Sequence, residues 1–302
     1  QSYLYTMMYY DDHDRVIQRK SNNRLNGGVE KDYIAYNFIG QPTKHKHIHS
    51  AAGKATQSEV YSYSYDYADR LQTTTHCLNN GPVMTLVNNE YDELGRLKHN
   101  RRNGQSNLHT NYAYNLRSWT ESISSPLFCE TLYYNDTRSN PTNTRYYNGN
   151  ISGMDWSVNG DKKRGYDFSY DNLSRLLYAD YLENNIRNHN FNTSYNYDKQ
   201  GNIVSLMRSG NQNTTYGIID NLTLNYRGNQ LIKVEDTASD SNLSVSSMDF
   251  RNGAKQDVEY FYDENGNLIK DLNKGIADIQ YNLLNLPRRI TFNDTNKSTH
   301  EY

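Results

Sequence analysis

Apolar and polar positions alternate with a period of two along much of the chain, and short polar clusters interrupt the alternation at recurring intervals. Tyr61, Tyr63 and Tyr65 mark one alternating run, and the pairs Tyr112 and Tyr114, Tyr195 and Tyr197, and Tyr260 and Tyr262 mark others. This period places the rings of each run on one face of a strand. The runs end in turn-forming clusters such as Asp92 to Gly95 or Asp263 to Gly266, after which an apolar residue opens a second alternating run. Each unit therefore reads as a β-hairpin.

The hairpins are copies of one motif. A Tyr-Asp pair or its nearest equivalent recurs at Tyr10, Tyr36, Tyr65, Tyr91, Tyr114, Tyr147, Tyr170, Tyr197, Tyr226, Tyr262 and Tyr281, about 19 to 36 residues apart. The clearest copies are YDELGRL from Tyr91, YDNLSRL from Tyr170, YDKQGNI from Tyr197 and YDENGNL from Tyr262. Glycine permits a positive φ in the turn, and the Asp or Asn after tyrosine can accept hydrogen bonds from amides two or three residues on. Aspartate is thus read as a turn cap and not as an acid catalyst. The expected structural anchors are Tyr10, Asp11, Tyr65, Asp66, Tyr91, Asp92, Gly95, Tyr170, Asp171, Tyr197, Asp198, Gly201, Tyr262, Asp263 and Gly266. The Arg or Asn that follows, as at Arg96, Asn202 or Asn267, opens the return strand, where arginine can cover a neighbouring tyrosine ring.

A lone hairpin is marginal in water, so these units must pair edge to edge. The expected fold is all-β, one array of consecutive hairpins over residues 1–302 that forms a coiling antiparallel sheet. Periodicity alone leaves a barrel, stacked blades and a spiral open.

At 35% hydrophobic the chain is less apolar than an ordinary globular domain. Its 29 tyrosines, against seven phenylalanines and two tryptophans, supply large rings whose hydroxyls need polar partners, which suits a thin, wetted sheet. The formal charge of −2 offers no general attraction for nucleic acid or anionic membrane. Basic clusters such as Lys162 to Arg164 and Arg101 with Arg102 read as solvated loop tips. No apolar run is long enough to cross a bilayer as a helix, so membrane insertion is not expected. Cys77 and Cys129 are expected to be free thiols.

Few residues suggest chemistry. His45, His47 and His49 alternate on one predicted strand face, yet no carboxylate or cysteine lies nearby in sequence, so a solvated face without metal is expected. Asp263, Asn265 and Asn267 imitate the start of a calcium loop, as do Asp11, Asp12 and Asp14. In the first case, Lys274 stands where a bidentate glutamate belongs, and turn capping explains the same residues. There is no Gly-x-Ser-x-Gly elbow and no phosphate-binding glycine loop. Asp155 with Asp161, and Glu235 with Asp236, are acidic pairs in turn-like or charged surroundings. No catalytic residue, cofactor or metal is predicted. Trp119 and Trp156 are the residues that a sugar-binding surface would use, and they are expected instead to fill wide spots between hairpins.

The YDxxGRL units, together with YNGNISGMDW from Tyr147, YDFSYDNLSRL from Tyr166 and IQYNLLNLP from Ile279, resemble the RHS/YD-repeat family. The resemblance covers nearly the whole chain and is closer to bacterial RHS proteins than to animal teneurins. It implies a strip of hairpins winding in a spiral to form a hollow shell. In bacterial members the shell encloses a C-terminal toxin, and in teneurin-like members it is an extracellular adhesion barrel. The bacterial pattern also implies a later Asp-Pro-rich core segment with self-cleavage. The five prolines here follow Gln41, Gly81, Ser125, Asn140 and Leu286, so that feature is missing and the chain reads as a segment of a longer protein. The expected function is structural and non-enzymatic: a secreted or cell-surface wall that encloses or displays a toxin or effector polypeptide outside these residues. Its expected partners are the rest of the shell and that polypeptide, or a chain covering exposed sheet edges. The alternatives are an adhesion or carbohydrate-binding module on the same repeats, and a hydrolase with an unrecognised site.

Overall fold

The structure, a computed structural model, describes residues 3–138, 141–213, 215–238, 248–294 and 300–301. Among them are 24 strands, one 3-10 turn at Ser106–Leu108 and no α-helix. The fold is all-β, as the alternation predicts. Nineteen consecutive strands, Thr6–Tyr10 through Gln230–Asp236, belong to a large antiparallel sheet, and five, Tyr260–Tyr262 through His300–Glu301, to a second. The chain divides into two compact units, one of Gln1–Thr131 with Ser157–Asp161 and the other of Leu132–Trp156 with Lys162–Tyr302.

In the first unit the hairpins follow one another as the repeat predicts. Thr6–Tyr10 pairs with Val16–Asn22, Val29–Tyr36 with Pro42–Ser50, and Gln57–Tyr65 with Leu71–Leu78. Met84–Tyr91 pairs with Leu97–Arg102, and His109–Tyr114 with Thr120–Ser124. Each return strand then pairs with the outgoing strand of the next hairpin. The register slips by one residue beside every anchor tyrosine, which marks a bulged turn.

The turn explains the motif. In the Tyr91 copy, Asp92 N–H donates to Arg96 O at 2.9 Å and Gly95 N–H to Asp92 O at 3.0 Å, with Gly95 at φ +82°. This is a tight turn followed by a left-handed residue, a common hairpin closure. The same position holds Asp14, Asp69 and Ser118 at φ 59°, 62° and 62°, and each adopts the left-handed region that glycine enters without cost.

The second unit continues the pattern through Arg164–Tyr170, Leu176–Glu183, Thr193–Tyr197, Ile203–Gln212, Thr215–Arg227 and Gln230–Asp236. The two units differ in packing. Among the described residues every buried hydrophobic side chain lies in the second unit, including Tyr134, Ala179, Tyr181, Leu182, Ile219 and Val234. Leu222, Val234 and Tyr260 form a cluster backed by Leu206, Leu224, Leu231, Phe250, Tyr262 and Leu268. The first unit is a half-wetted sheet, in line with its tyrosine-rich composition. Its cohesion comes from hydrogen bonds and turn contacts more than from a core.

Gly95→Ala forces a Cβ into the left-handed region, 3.2 Å from Arg70 Nη1. It is expected to lower stability by about 1 kcal/mol in urea unfolding. Asp69→Gly, at the same turn position, is expected to be neutral or stabilising in the same measurement.

Candidate functional site

The repeated turn is a clasp built from four side chains. In the Tyr91 copy, Asp92 Oδ1 accepts from the amides of Leu94 and Arg96 at 3.0 and 2.8 Å, and Asp92 Oδ2 accepts from Arg96 Nε at 2.7 Å. Asp11, Asp66 and Asp171 make the same pattern with Arg15, Arg70 and Arg175. Asp198 and Asp263 make it with Asn202 and Asn267. Asn115 and Asn282 cap the backbone with a neutral amide.

The arginine then reaches forward to the next repeat. The guanidinium groups of Arg15, Arg70, Arg96 and Arg175 lie 4.5 to 5.1 Å from the ring centres of Tyr36, Tyr91, Tyr114 and Tyr197. Arg96 Nη1 also donates to Asn115 O at 3.2 Å, and Arg175 Nη1 to Asp198 O at 3.1 Å.

Tyrosine closes the link in the opposite direction. The hydroxyls of Tyr36, Tyr65, Tyr91 and Tyr114 in the first unit donate to the carbonyls of Val16, Pro42, Leu71 and Leu97, at 2.8 to 3.0 Å. In the second unit Tyr170, Tyr197, Tyr226, Tyr262 and Tyr281 donate to Ile151, Leu176, Ile203, Leu231 and Leu268, at 2.7 to 3.0 Å. Each acceptor carbonyl lies just after the preceding turn. The staple was not legible in the sequence, because its acceptor is a backbone group of a residue about 13 to 31 positions earlier.

Of the predicted anchors, the tyrosines end the outgoing strands and the aspartates and glycines lie in the turns, with Gly95, Gly201 and Gly266 at φ 82°, 94° and 82°. Tyr10 belongs to the first clasp and its hydroxyl reaches only Met8 Sδ, at 3.4 Å. Two weaker copies depart from the pattern. Tyr147 opens no hairpin: Asn148 caps Asn150 N–H with Gly149 at φ 99°, and no strand follows until Gly153–Val158. Tyr226 precedes a shorter turn in which Arg227 pairs directly with Gln230.

Where the repeat lapses, the second unit holds a buried charge centre. Arg138 is 4% exposed, Asp155 4% and Asp167 8%. Arg138 Nη2 contacts Asp155 Oδ1 at 2.7 Å, and Arg138 Nη1 contacts Asp167. Lys163 Nζ and Tyr133 Oη approach Asp155 Oδ2 at 2.8 and 2.9 Å. Arg187 bridges Asp167 at 2.6 Å and Asp180 at 3.2 Å, and its Nη2 donates to Thr142 O at 2.9 Å. Gly153 and Gly165 make room for it, since a Cβ at Gly165 would lie 2.4 Å from Asp155 Oδ1. Burial pushes the Asp155 carboxyl up, but Arg138 and Lys163 outweigh it and hold it below the usual range. The sequence singled out Asp155 only as half of an acidic pair. Its real partners come from strands and a loop that no local spacing connects.

The histidine run is corrected by its neighbour strand. Asp32 and Glu30 on Val29–Tyr36 alternate opposite it, so carboxylates absent from the local sequence arrive across the ladder. His45 Nε2 and His47 Nδ1 lie 3.0 and 2.8 Å from Asp32 Oδ1, and His49 Nδ1 lies 2.7 Å from Glu30 Oε1. This is a half-buried imidazole–carboxylate ladder in place of a freely solvated face. Among the described residues no group of three His, Cys, Asp or Glu is arranged to hold a metal. Cys77 and Cys129 are free. Glu235 contacts Lys233 at 2.7 Å, and Asp236 Oδ1 caps Asn221 and Ala238, so that acidic pair is divided between two structural tasks. Trp156 stacks on Tyr166 at 5.7 Å, and Trp119 lies under Arg117 at 5.0 Å.

Fold and clasp define an all-β protein of consecutive, mutually stapled hairpins. No family model and no curated protein matches the chain. Among solved structures it is similar to a chain in the crystal structure of TcdB2-TccC3 without its hypervariable C-terminal region, with TM-score 0.51 and 10% identity. That match covers 98% of this chain and 17% of the longer one, and it is a likeness of fold. Chains in the TcdB2-TccC3-Cdc42 and TcdB2-TccC3-TEV crystal structures match at 10% identity and TM-score 0.27, over 92% and 96% of this chain and 18% of each of theirs.

Arg138→Met removes the buried cation that Asp155 and Asp167 share, leaving them Lys163 and Arg187, and is expected to cost roughly 3 kcal/mol, the low end for a broken buried pair, in chemical denaturation. The clasps also give an acid signature. Burial pushes the Asp11, Asp66 and Asp92 carboxyls up, but backbone and arginine hydrogen bonds outweigh it and lower all three. Hydrogen bonds lower Asp171, Asp198 and Asp263 as well. Their stabilisation is fully present above the unfolded aspartate value and is lost as pH falls through the lower native values. Circular dichroism is expected to hold steady from neutrality to about pH 4 and then fall. Asp92→Asn, which imitates Asn115, is expected to reduce the acid sensitivity of that turn.

Proposed function

We propose that this chain is a non-catalytic wall segment of a bacterial RHS/YD-repeat shell, secreted or displayed at the cell surface. The observation that carries the reading is the head-to-tail clasp: each hairpin is completed by the next, an arrangement that extends a sheet indefinitely. Likeness of fold to a TcdB2-TccC3 chain supports it. In this reading the wall works by excluding solvent-borne molecules from a polypeptide that lies outside residues 1–302. Its partners are flanking repeats of the shell and that polypeptide.

The test is limited proteolysis of the protein made from its full reading frame. A polypeptide fragment is expected to resist protease while the repeats are folded and to become cleavable when Arg138→Met loosens the wall. Absence of any protected fragment overturns the proposal. So does specific glycan binding lost on Trp119→Ala or Trp156→Ala, or hydrolysis abolished by one carboxylate substitution.

A further inference from the structure

The cross-strand register sorts the charges of the first unit by face. Lys20 stands opposite Lys31, Tyr33 opposite Lys46, and Ala35 opposite Lys44. Side chains alternate between faces along a strand, so Lys20, Lys31, Lys44 and Lys46 share one face. The carboxylates of the same strands point the other way: Glu30 is opposite His49, Asp32 lies between Arg19 and His47, and Glu59 is opposite His47. Across the six strands from Thr6–Tyr10 to Leu71–Leu78 the lysine face therefore carries four cations and no carboxylate.

The chain supplies no counter-charge to this face. Among the described residues none of the four lysines forms an ion pair. Lys20 and Lys31 are directly opposite, and like charges so placed repel across a ladder. Further along the sheet, the first carboxylate on this face is Glu90, three strands from Lys44 and 3.4 Å from Lys98. The turns add exposed Asp12, Asp14 and Asp69 at one end of the strands and Arg24 and Lys54 at the other, while the turn beside Lys44, Asn37 to Gln41, is uncharged. The face itself stays cationic, and its compensating anions come from outside the chain.

We infer that this face binds an acidic, extended stretch of polypeptide. The inference deepens the wall reading and rests on it, because that reading supplies a polypeptide partner and the face supplies its chemistry. From Lys44 the cations step about 7 Å along the strand to Lys46, about 8 Å diagonally to Lys31, and about 5 Å across to Lys20. Carboxylates on alternate residues of an extended chain repeat at about 7 Å and match this row. Two features favour carboxylate over nucleic-acid phosphate. The face has no arginine, whose planar fork suits phosphate. Tyr9, beside Lys20, has its ring under the Lys20 ammonium at 6.0 Å, where a base would have to stack.

Fluorescence anisotropy tests the face with the 302-residue chain and a labelled peptide of alternating glutamate and serine, about eight residues long to span the row. Saturable binding is expected, weakening about tenfold between about 20 and 200 mM salt. Lys44→Glu with Lys46→Glu is expected to weaken it at least tenfold while circular dichroism stays unchanged. Lys199→Glu with Lys270→Glu, both exposed in the second unit, is expected to leave it intact. Absence of saturable binding overturns the inference, as does an equal loss with both double substitutions. Tighter binding of an oligothymidylate, lost on Lys44→Glu with Lys46→Glu, overturns the polypeptide assignment. No peptide binding alongside a protease-protected fragment in the full-length protein overturns this inference alone. Peptide binding without a protected fragment upholds the binding face and overturns the wall reading.

Discussion

A single hydrogen bond, from a tyrosine hydroxyl to a backbone carbonyl of the preceding hairpin, sets the terms for the rest of the structure. Beside each clasp the ladder stops short. The last cross-strand pair before Leu71 is Thr73 with Asn88, and the last before Leu97 is His99 with Asn111. The carbonyls of Leu71 and Leu97 therefore lie past the ladder, in a half-buried place where an unpaired acceptor is costly. Tyr91 and Tyr114 supply the donors. Phenylalanine in place of Tyr114 would fill the same volume and leave the Leu97 carbonyl without this donor, whereas Leu71 O also accepts from Asn89 Nδ2 at 3.1 Å. The ring that delivers the hydroxyl also offers its face to the previous arginine, so one side chain serves two bonds of the link.

The two units show two ways of holding such a sheet. In the first, the turn contacts of the described residues join neighbouring hairpins, and the His45, His47, His49 face is satisfied by Glu30 and Asp32 one strand away. In the second, an apolar cluster and the Arg138 centre tie together residues that are far apart in sequence. Ion pairs at this depth gain little over apolar packing, but they are intolerant of misplacement. The centre stands where the Tyr147 copy fails to make a hairpin, and so it fixes register at the one point where the repeat cannot.

Legibility in the sequence followed the range of the interaction. Strand alternation, turn position and the capping role of Asp11, Asp66 or Asp92 are local, and the residue types state them directly. The stacking of Arg96 on Tyr114 was legible once hairpins were taken to be neighbours. The staple carbonyls were not, since every residue has a carbonyl and side-chain identity gives no sign of which one is left unmet. Arg138 was missed for a related reason: an arginine in a stretch without periodicity looks like any surface arginine until Gly153 and Gly165 are seen to open space for it. The Tyr147 copy misled because its Asn and Gly satisfy turn chemistry without the flanking strands that make a hairpin.

Nearest-neighbour clasping has a consequence for how such a chain can change over evolutionary time. Where each hairpin is bonded only to the one before and the one after, removing or duplicating a whole hairpin restores the same junction, and no distant packing must be rebuilt. Length becomes nearly free to drift in the first unit. The Arg138 centre is the exception, because Thr142, Asp155, Asp167, Asp180 and Arg187 must stay in step, and there a gain or loss of one repeat would sever the network.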